Sequence, residues 1–312
     1  MAVKVGVVFF HVRLHLETTM PSTQQTSART PPVSPSGCWI LHARAKEYHW
    51  EGAGLLSIKT FSGGRAHYRV GSAHHAVDDA SYLVLNRGQT YTIDIQSRQR
   101  VESFCLFFAA GLVEDVQRAM TSPVEHLLDQ PRKEEVPTVC FFEKNYAHDR
   151  IVSPALSRLR LNYRNREQGW LLEQFHNVME RLLRVHQNTV LETERLKCVR
   201  RGTGEELYRR VWRARDYIWA MFAEPITLPE IARVACLSPN HLLRTFRNAF
   251  GKSPHQLLTE RRLEEAKRLL ATSDLSVTDI CFASGFESLG SFSSLFRTRC
   301  NSSPSEYRRA KR

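Results

Sequence analysis

Short runs of apolar and β-branched residues, separated by turn-forming residues, dominate residues 38 to 110. The turn signals are Gly63–Gly64, Gly71–Ser72, Asn86–Gly88 and Ser97–Arg98. Several short strands at this spacing are typical of a small barrel or sandwich. The runs predicted as strands are Leu55–Phe61, Ala66–Val70, Ser81–Leu85, Thr90–Ile95 and Val101–Phe108.

The apolar spacing becomes helical after Gly111. It predicts a helix from Leu112 to Met120, one further strand over Val139–Phe142, and a mainly helical stretch from Ala155 to Val199. Within that stretch an apolar seam recurs at steps of four and three residues, and such a seam can pack on the barrel, on a second copy of itself, or on both. Its members are Leu171, Phe175, Val178, Leu182 and Val185.

Two polar segments predict the domain limits. Residues 21–37 are rich in Pro, Ser and Thr, so we expect residues 1–37 to be a disordered extension, with Met20 as an alternative start. Residues 199–206 are polar and contain two glycines, which predicts a hinge. The expected domains are therefore residues 38–200 and 207–310.

Charge narrows the classes of partner. The chain carries 44 Lys and Arg against 32 Asp and Glu, a net charge of +12, and residues 201–312 account for 19 of these bases and 12 of these acids. Such an excess favours nucleic acid or an anionic membrane surface. The seven cysteines form no C-x-x-C pair and no zinc-type cluster, and no apolar run is long enough to span a membrane. We expect a cytoplasmic, nucleoid-associated protein with no cofactor, no metal and no membrane partner.

An internal repeat lies in the last hundred residues. Thr227–Leu237 aligns with Ser276–Phe286 at a constant offset of 49 residues. From Ser238 and Ser288 onward the offset is 50, so the single inserted residue falls in a turn, where insertion costs least. Two copies related in this way are unlikely to arise by chance.

Each copy has the signals of a helix-turn-helix. A Ser or Thr followed three residues later by an acid can cap the first helix, and a second serine begins the next helix. Two further serines, each followed by proline, begin the helix that connects the copies and the last helix. These N-cap residues are Thr227, Ser238 and Ser253 in the first copy and Ser276, Ser288 and Ser303 in the second.

The helix after each turn is the candidate recognition helix. Leu242 and Phe246, like Phe292 and Phe296, are four residues apart and are expected to face inward. A plain helical bundle would use the same spacing, but it explains neither the duplication nor the polar outward face. The candidate DNA-binding residues are Asn240, His241, Leu243, Arg244, Arg247 and Asn248 in the first helix and Leu289, Gly290, Ser291, Ser294 and Arg297 in the second.

These residues resemble the AraC/XylS family of transcription regulators over residues 209–308. The segments that carry the resemblance are Ile226–Ala232, Leu237–Arg247, Arg262–Leu270, Gly285–Phe286 and Ser303–Arg308. The resemblance implies that both recognition helices enter successive major-groove segments on one face of the duplex. It also implies promoter DNA as the partner, with RNA polymerase if the protein is an activator. Cys236 departs from the pattern, because many members have the turn glycine there.

The first domain resembles the family's cupin-like sensor domain in layout alone, so the expected fold class is α+β: a cupin-like β-barrel with dimerisation helices, then an all-α double helix-turn-helix domain. The resemblance implies a small-molecule effector, whose contacts the sequence leaves unknown, and a homodimer. The aromatic residues Tyr48, Trp50, Phe61 and Tyr82 are expected in the core.

The rival hypothesis is a catalytic cupin domain. His67, His74 and His75, with Tyr68 beside them, suggest a metal centre. However, this region contains no His-x-His, and adjacent histidines in a strand point to opposite faces. We therefore expect that the protein is not an enzyme and has no catalytic residues. A general RNA-binding protein is a third hypothesis, but the chain lacks the expected aromatic platforms.

Overall fold

The computed structural model describes residues 13–14, 37–121, 139–164, 166–194 and 201–311. The chain divides into two compact units, Met1–Arg195 and Leu196–Arg312. The first is an antiparallel β-barrel with helices against it, and the second is entirely helical where described. The expected α+β class and the order of the two architectures are confirmed. None of the described helices is long and apolar enough to cross a membrane.

The first unit contains one nearly closed sheet. Its strand order is β1-β2-β7-β3-β6-β8, with β4 joined to β7 and β5 joined to β4. The pairings are antiparallel except for β1 with β2. The described strands are β1 (Arg13–Leu14), β2 (Trp39–Ala53), β3 (Ser57–Ser62), β4 (Ala66–Val70), β5 (Ala73–Val77), β6 (Ser81–Leu85), β7 (Thr90–Phe107) and β8 (Asn145–Ala147).

Two strand predictions were wrong. The expected turn at Ser97–Arg98 lies inside the single long strand β7. Val139–Phe142 is not a strand, and β8 follows it at residues 145–147. Within the extension that the sequence predicts over residues 1–37, Arg13–Leu14 form β1 beside Trp39 and Ile40. The rest of that predicted extension, up to residue 36, lies outside the described residues.

Strand β2 was missed because its alternation changes phase. The register between β2 and β7 shifts between Ala45 and Glu47, which is a β-bulge. Before the bulge Trp39 and Leu41 face the barrel interior, and after it Tyr48 and Trp50 do so. The inward-facing residues thus have odd numbers before the bulge and even numbers after it, so the alternation with a period of two does not hold across the whole strand.

The sheet separates two hydrophobic cores. The interior core is rich in aromatic residues and includes Trp39, Trp50, Tyr68, Tyr91 and Phe107. The core outside the sheet contains Ile58, Leu106 and the buried faces of three helices. These helices are α1 (Leu112–Thr121), α2 (Ser153–Asn162) and α3 (Gln168–Glu194).

The apolar seam of α3 packs on the outside of the sheet. Leu171, Phe175, Val178 and Leu182 are fully buried in this second core, and Val185 packs against it. Packing on the barrel, which is one of the arrangements left open by the sequence, is present in the structure. An ion-pair network links α2 to the sheet, because Glu102 contacts His42, Arg44 and Arg160 at 2.7–3.0 Å.

The second unit contains seven helices in its described residues. The first begins at Arg201, so residues 201–206 are helical and the hinge predicted over residues 199–206 does not extend through them. Gly202 is exposed and Gly204 is buried, and both lie in the first turn, where the helix tolerates glycine. The helices are α4 (Arg201–Met221), α5 (Leu228–Val234), α6 (Pro239–Phe250), α7 (Pro254–Thr272), α8 (Val277–Ala283), α9 (Leu289–Cys300) and α10 (Pro304–Lys311).

Candidate nucleic-acid interface

The first helix-turn-helix consists of α5, a turn and α6. Thr227 caps α5 by accepting a hydrogen bond from the Glu230 amide, as expected. The Glu230 carboxylate accepts from the Tyr217 hydroxyl at 2.6 Å, and so ties α5 to α4. Ser238 caps α6 with Pro239 in its first turn, and Gly251 ends the helix with a φ of 69°.

The second helix-turn-helix consists of α8, a turn and α9, and it repeats this plan. Ser276 and Asp279 form a complete capping box at α8, with both reciprocal hydrogen bonds present. Ser288 caps α9, and Asn301 ends it with a φ of 55°. The predicted N-caps of these helices are therefore confirmed in both copies.

The two turns use the same left-handed backbone position. Gly285 has a φ of 83° and Cys236, its counterpart in the repeat, has a φ of 53°. A side chain in this region is strained, so the departure noted at Cys236 has a cost in the first copy. Arg210 of α4 donates a hydrogen bond to the Cys236 carbonyl at 3.2 Å and helps to hold this turn.

Each recognition helix has one buried and one exposed face. Leu242 and Phe246 of α6 are fully buried in the core of the first copy, and Phe292 and Phe296 of α9 are fully buried in the core of the second. Every residue predicted to bind DNA lies outside these cores. Asn240, Arg244, Arg247, Asn248, Leu289, Gly290, Ser291, Ser294 and Arg297 are exposed, and His241 and Leu243 are half-buried.

Helix α7 joins the two copies by contributing to both cores. Leu257 and Leu258, near its start, pack in the first core, whereas Leu263, Ala266 and Leu270 pack in the second. Because one continuous helix supplies side chains to both cores, the copies cannot rotate independently without breaking that packing.

A second contact, which we call the joint, holds the copies together beside α7. It consists of Arg262, Gly285 and the turn of residues 222–224 that directly follows α4. The Arg262 guanidinium donates from Nε to the Phe222 carbonyl at 2.7 Å and from Nη2 to the Glu224 carbonyl at 2.9 Å. At Gly285 a Cβ atom would lie 2.6 Å from the Phe222 carbonyl oxygen, so the second turn packs directly on the first copy.

Sequence reasoning missed one feature of this surface. Arg262 was recognised as part of the resemblance but not as a bridge between the copies, since nothing local indicates which carbonyls it reaches.

The histidines of the barrel do not converge. His75 of β5 is buried toward the interior beside Tyr68, whereas His67 is exposed and His74 is half-buried. The adjacent pair therefore points to opposite faces, as expected. Within the described part of the chain, no group of three or more His, Cys, Asp or Glu residues is arranged to hold a metal ion.

Known proteins resemble the helical unit. Residues 231–310 match the family described as "Helix-turn-helix domain". The HTH-type transcriptional activator RhaS of Yersinia pestis (strain Pestoides F) is 33% identical over 105 residues, which are 34% of this chain and 38% of RhaS. Residues 231–310 are an AraC-type helix-turn-helix domain. The chain spans about a third of the length of such curated relatives.

Two further matches cover the same AraC-type domain. The uncharacterized HTH-type transcriptional regulator YijO of Escherichia coli (strain K12) is 39% identical over 95 residues, 30% of this chain and 34% of YijO. A solved transcriptional regulator from Chromobacterium violaceum, described as AraC-type, is 30% identical and covers 36% of this chain and 96% of its own, with a TM-score of 0.31.

Proposed function

We propose that this protein is a sequence-specific transcription regulator that binds double-stranded DNA through α6 and α9. One observation carries the proposal: both helices bury their apolar face in separate cores and leave a polar, partly basic face in solvent. A helix presented in this way fits the major groove, which is wide enough to admit it. The AraC-type match of the domain supports the same function.

The two helices are proposed to read successive segments of the major groove. The joint and α7 hold them as one body, so both are placed on the same face of the duplex. Arg244 in α6 and its repeat counterpart Ser294 in α9 are both exposed. An arginine that donates to O6 and N7 of guanine contributes about 1–3 kcal/mol of discrimination, whereas serine pairs with several bases.

The β-barrel unit is proposed to make the regulator respond to a small molecule, and a homodimer and RNA polymerase are further proposed partners. The barrel supplies an enclosed, aromatic interior, which suits a small ligand better than a macromolecule. The activator assignment is supported by the description of RhaS as a transcriptional activator. We also propose that the protein has no catalytic activity and that it is located on the nucleoid in the cytoplasm.

Selection of bound sequences from a randomised duplex tests the DNA-reading roles. We expect Arg244→Ala to relax the preference at one base pair and Ser294→Ala to leave the selected sequence almost unchanged. Arg297 lies further along α9, where phosphate contact is expected, so Arg297→Ala weakens all sites equally and lowers the salt slope by about one unit.

The control is Arg233→Ala, because Arg233 is exposed on α5 outside the recognition helices. If Ser294→Ala removes a base preference that Arg244→Ala retains, the assignment of the two helices is wrong. If the unmodified protein selects no sequence and its binding does not weaken with salt, the proposed function is wrong.

A further inference from the structure

Lys59 is a buried cation in the interior of the barrel. Strand β3 alternates, so Ser57, Lys59 and Phe61 face inward while Ile58 faces the outer core. The Lys59 side chain is 2% exposed. Burial lowers its pKa to about 8, which still leaves the ammonium as the major form at neutral pH.

Aromatic rings surround this ammonium. Lys59 Nζ lies 3.7 Å from the centre of the Phe107 ring and donates to the Tyr91 hydroxyl at 3.2 Å. Trp39 stacks in parallel on Phe107 with ring centres 3.8 Å apart. A ring at that distance covers one face of Phe107, so the ammonium must lie over the other face. Cation–π contacts of this kind offset only part of the cost of desolvating a charge.

Several buried hydrogen-bond donors lie in this interior. Among the described residues, the ammonium has Tyr91 as its one hydrogen-bond partner and no carboxylate forms an ion pair with it. Trp39 Nε1 and Trp50 Nε1 are also buried and have no partner within the described chain. Buried N–H groups without an acceptor are rare and costly, as is a buried ammonium without a counter-charge, so two such indoles and Lys59 in one core call for an explanation.

The three donor groups belong to one connected set of side chains. Trp39 contacts Phe107, Phe107 contacts Lys59, Lys59 contacts Tyr91, and the Tyr91 ring lies 4.9 Å from that of Trp50. A molecule placed among them would meet positive charge and N–H groups at one point and aromatic carbon elsewhere. One ammonium balances one negative charge, which matches a carboxylate better than a dianionic phosphate.

We propose that the barrel interior binds a small monocarboxylate with an apolar or aromatic body, held by the Lys59 ammonium. The carboxylate accepts hydrogen bonds from Lys59 and from an indole N–H, and Tyr91 and Phe107 flank the apolar part. The proposal names the ligand class of the effector-responsive part of the proposed function, but ligand binding to the barrel does not itself require DNA binding.

Isothermal titration calorimetry of the full chain tests this. The probes are benzoate and hexanoate, with benzamide and hexanamide as neutral counterparts of the same shape. We expect the unmodified protein to bind at least one carboxylate, and its amide about ten- to a hundredfold more weakly, because the amide lacks the charge that pairs with the ammonium. Lys59→Met retains the length of the side chain without its charge, and we expect it to lose the carboxylate preference.

Lys46→Met is the matched control, because Lys46 is exposed on β2 of the same sheet and should leave binding unchanged. Equal binding of acid and amide, retention of the carboxylate preference by Lys59→Met, or no binding of either carboxylate would overturn the proposal. DNA titrations on the same preparations separate the two claims. Carboxylate binding without DNA binding would contradict the proposed function and leave this inference standing.

Discussion

The joint between the two helix-turn-helix copies depends on Gly285, and its replacement by alanine tests the joint directly. The φ of 83° is unfavourable for alanine by about 1–2 kcal/mol. The new Cβ would also lie 2.6 Å from the Phe222 carbonyl oxygen and 2.9 Å from the Ala223 Cα. Both are backbone atoms that cannot move aside alone, so overpacking adds about 1–3 kcal/mol.

We therefore expect Gly285→Ala to destabilise the second copy by about 2–5 kcal/mol. Native-state hydrogen exchange of peptides from α8 and α9 in the full chain measures this free energy without interference from the barrel unit. The variant should also weaken DNA binding, because relief of the clash moves the second recognition helix relative to the first.

Gly251→Ala is the matched control. Gly251 has a similar φ of 69°, but a Cβ there would meet nothing within 4 Å. Gly251→Ala should lower the free energy of unfolding only by the cost of the left-handed backbone, about 1–2 kcal/mol. If the two alanine variants destabilise the protein equally, the close packing of Gly285 on Phe222 contributes nothing and the reasoning about the joint fails.

Three other changes have defined outcomes. Cys236→Gly should raise the stability of the first copy by about 1 kcal/mol, since it relieves a left-handed side chain, and unchanged hydrogen exchange of α5 would contradict this. Burial opposes the charge of Glu102, but hydrogen bonds from His42 and Arg44 and the charge of Arg160 outweigh it and hold the pKa of Glu102 below its usual 4.5. The ionised Glu102 carboxylate therefore stabilises the protein above pH 4.5, and this stabilisation is lost as the pH falls through the lower pKa that Glu102 has in the folded state. Glu102→Gln should lower the free energy of unfolding by about 1–2 kcal/mol at neutral pH, and urea unfolding should show that this loss vanishes in acid. A loss that does not depend on pH would refute the ionic origin. Phe175→Asp should unfold or aggregate the barrel unit, whereas Leu191→Asp, at an exposed site of the same helix, should not; equal melting of both variants by circular dichroism would contradict the packing of the seam.

Local signals made the helical domain predictable from the sequence. A capping serine acts on an amide three residues away, and an inward Leu242 or Phe246 needs only one helical turn to be recognised. These signals act over a few residues, and each of them occurs in both copies of the internal repeat. The first residues of α6 and α9 were predictable from these signals.

Features that depend on distant partners were not predictable in this way. The bulge near Ala45 reverses which positions of β2 face inward, and only the pairing with β7 shows where the reversal falls. The polar residues around Ser97 resemble a turn because they are exposed or half-buried, although they lie inside the strand. Arg262 reaches carbonyls 38 and 40 residues earlier in the chain. Lys59 lies in an alternating strand, yet a lysine on the inward face contradicts the usual pattern of burial.

The spacing of the two DNA segments tests the central claim most directly, namely that α6 and α9 read DNA as one rigid pair. Once a bound sequence has been selected, five or ten base pairs are inserted between its two half-sites and the affinity of the full chain is measured. About ten base pairs make one helical turn, so five place the second segment on the opposite face and ten move it about 34 Å along the axis. We predict that both insertions reduce the affinity to that of a single half-site. Full affinity after either insertion would contradict the account.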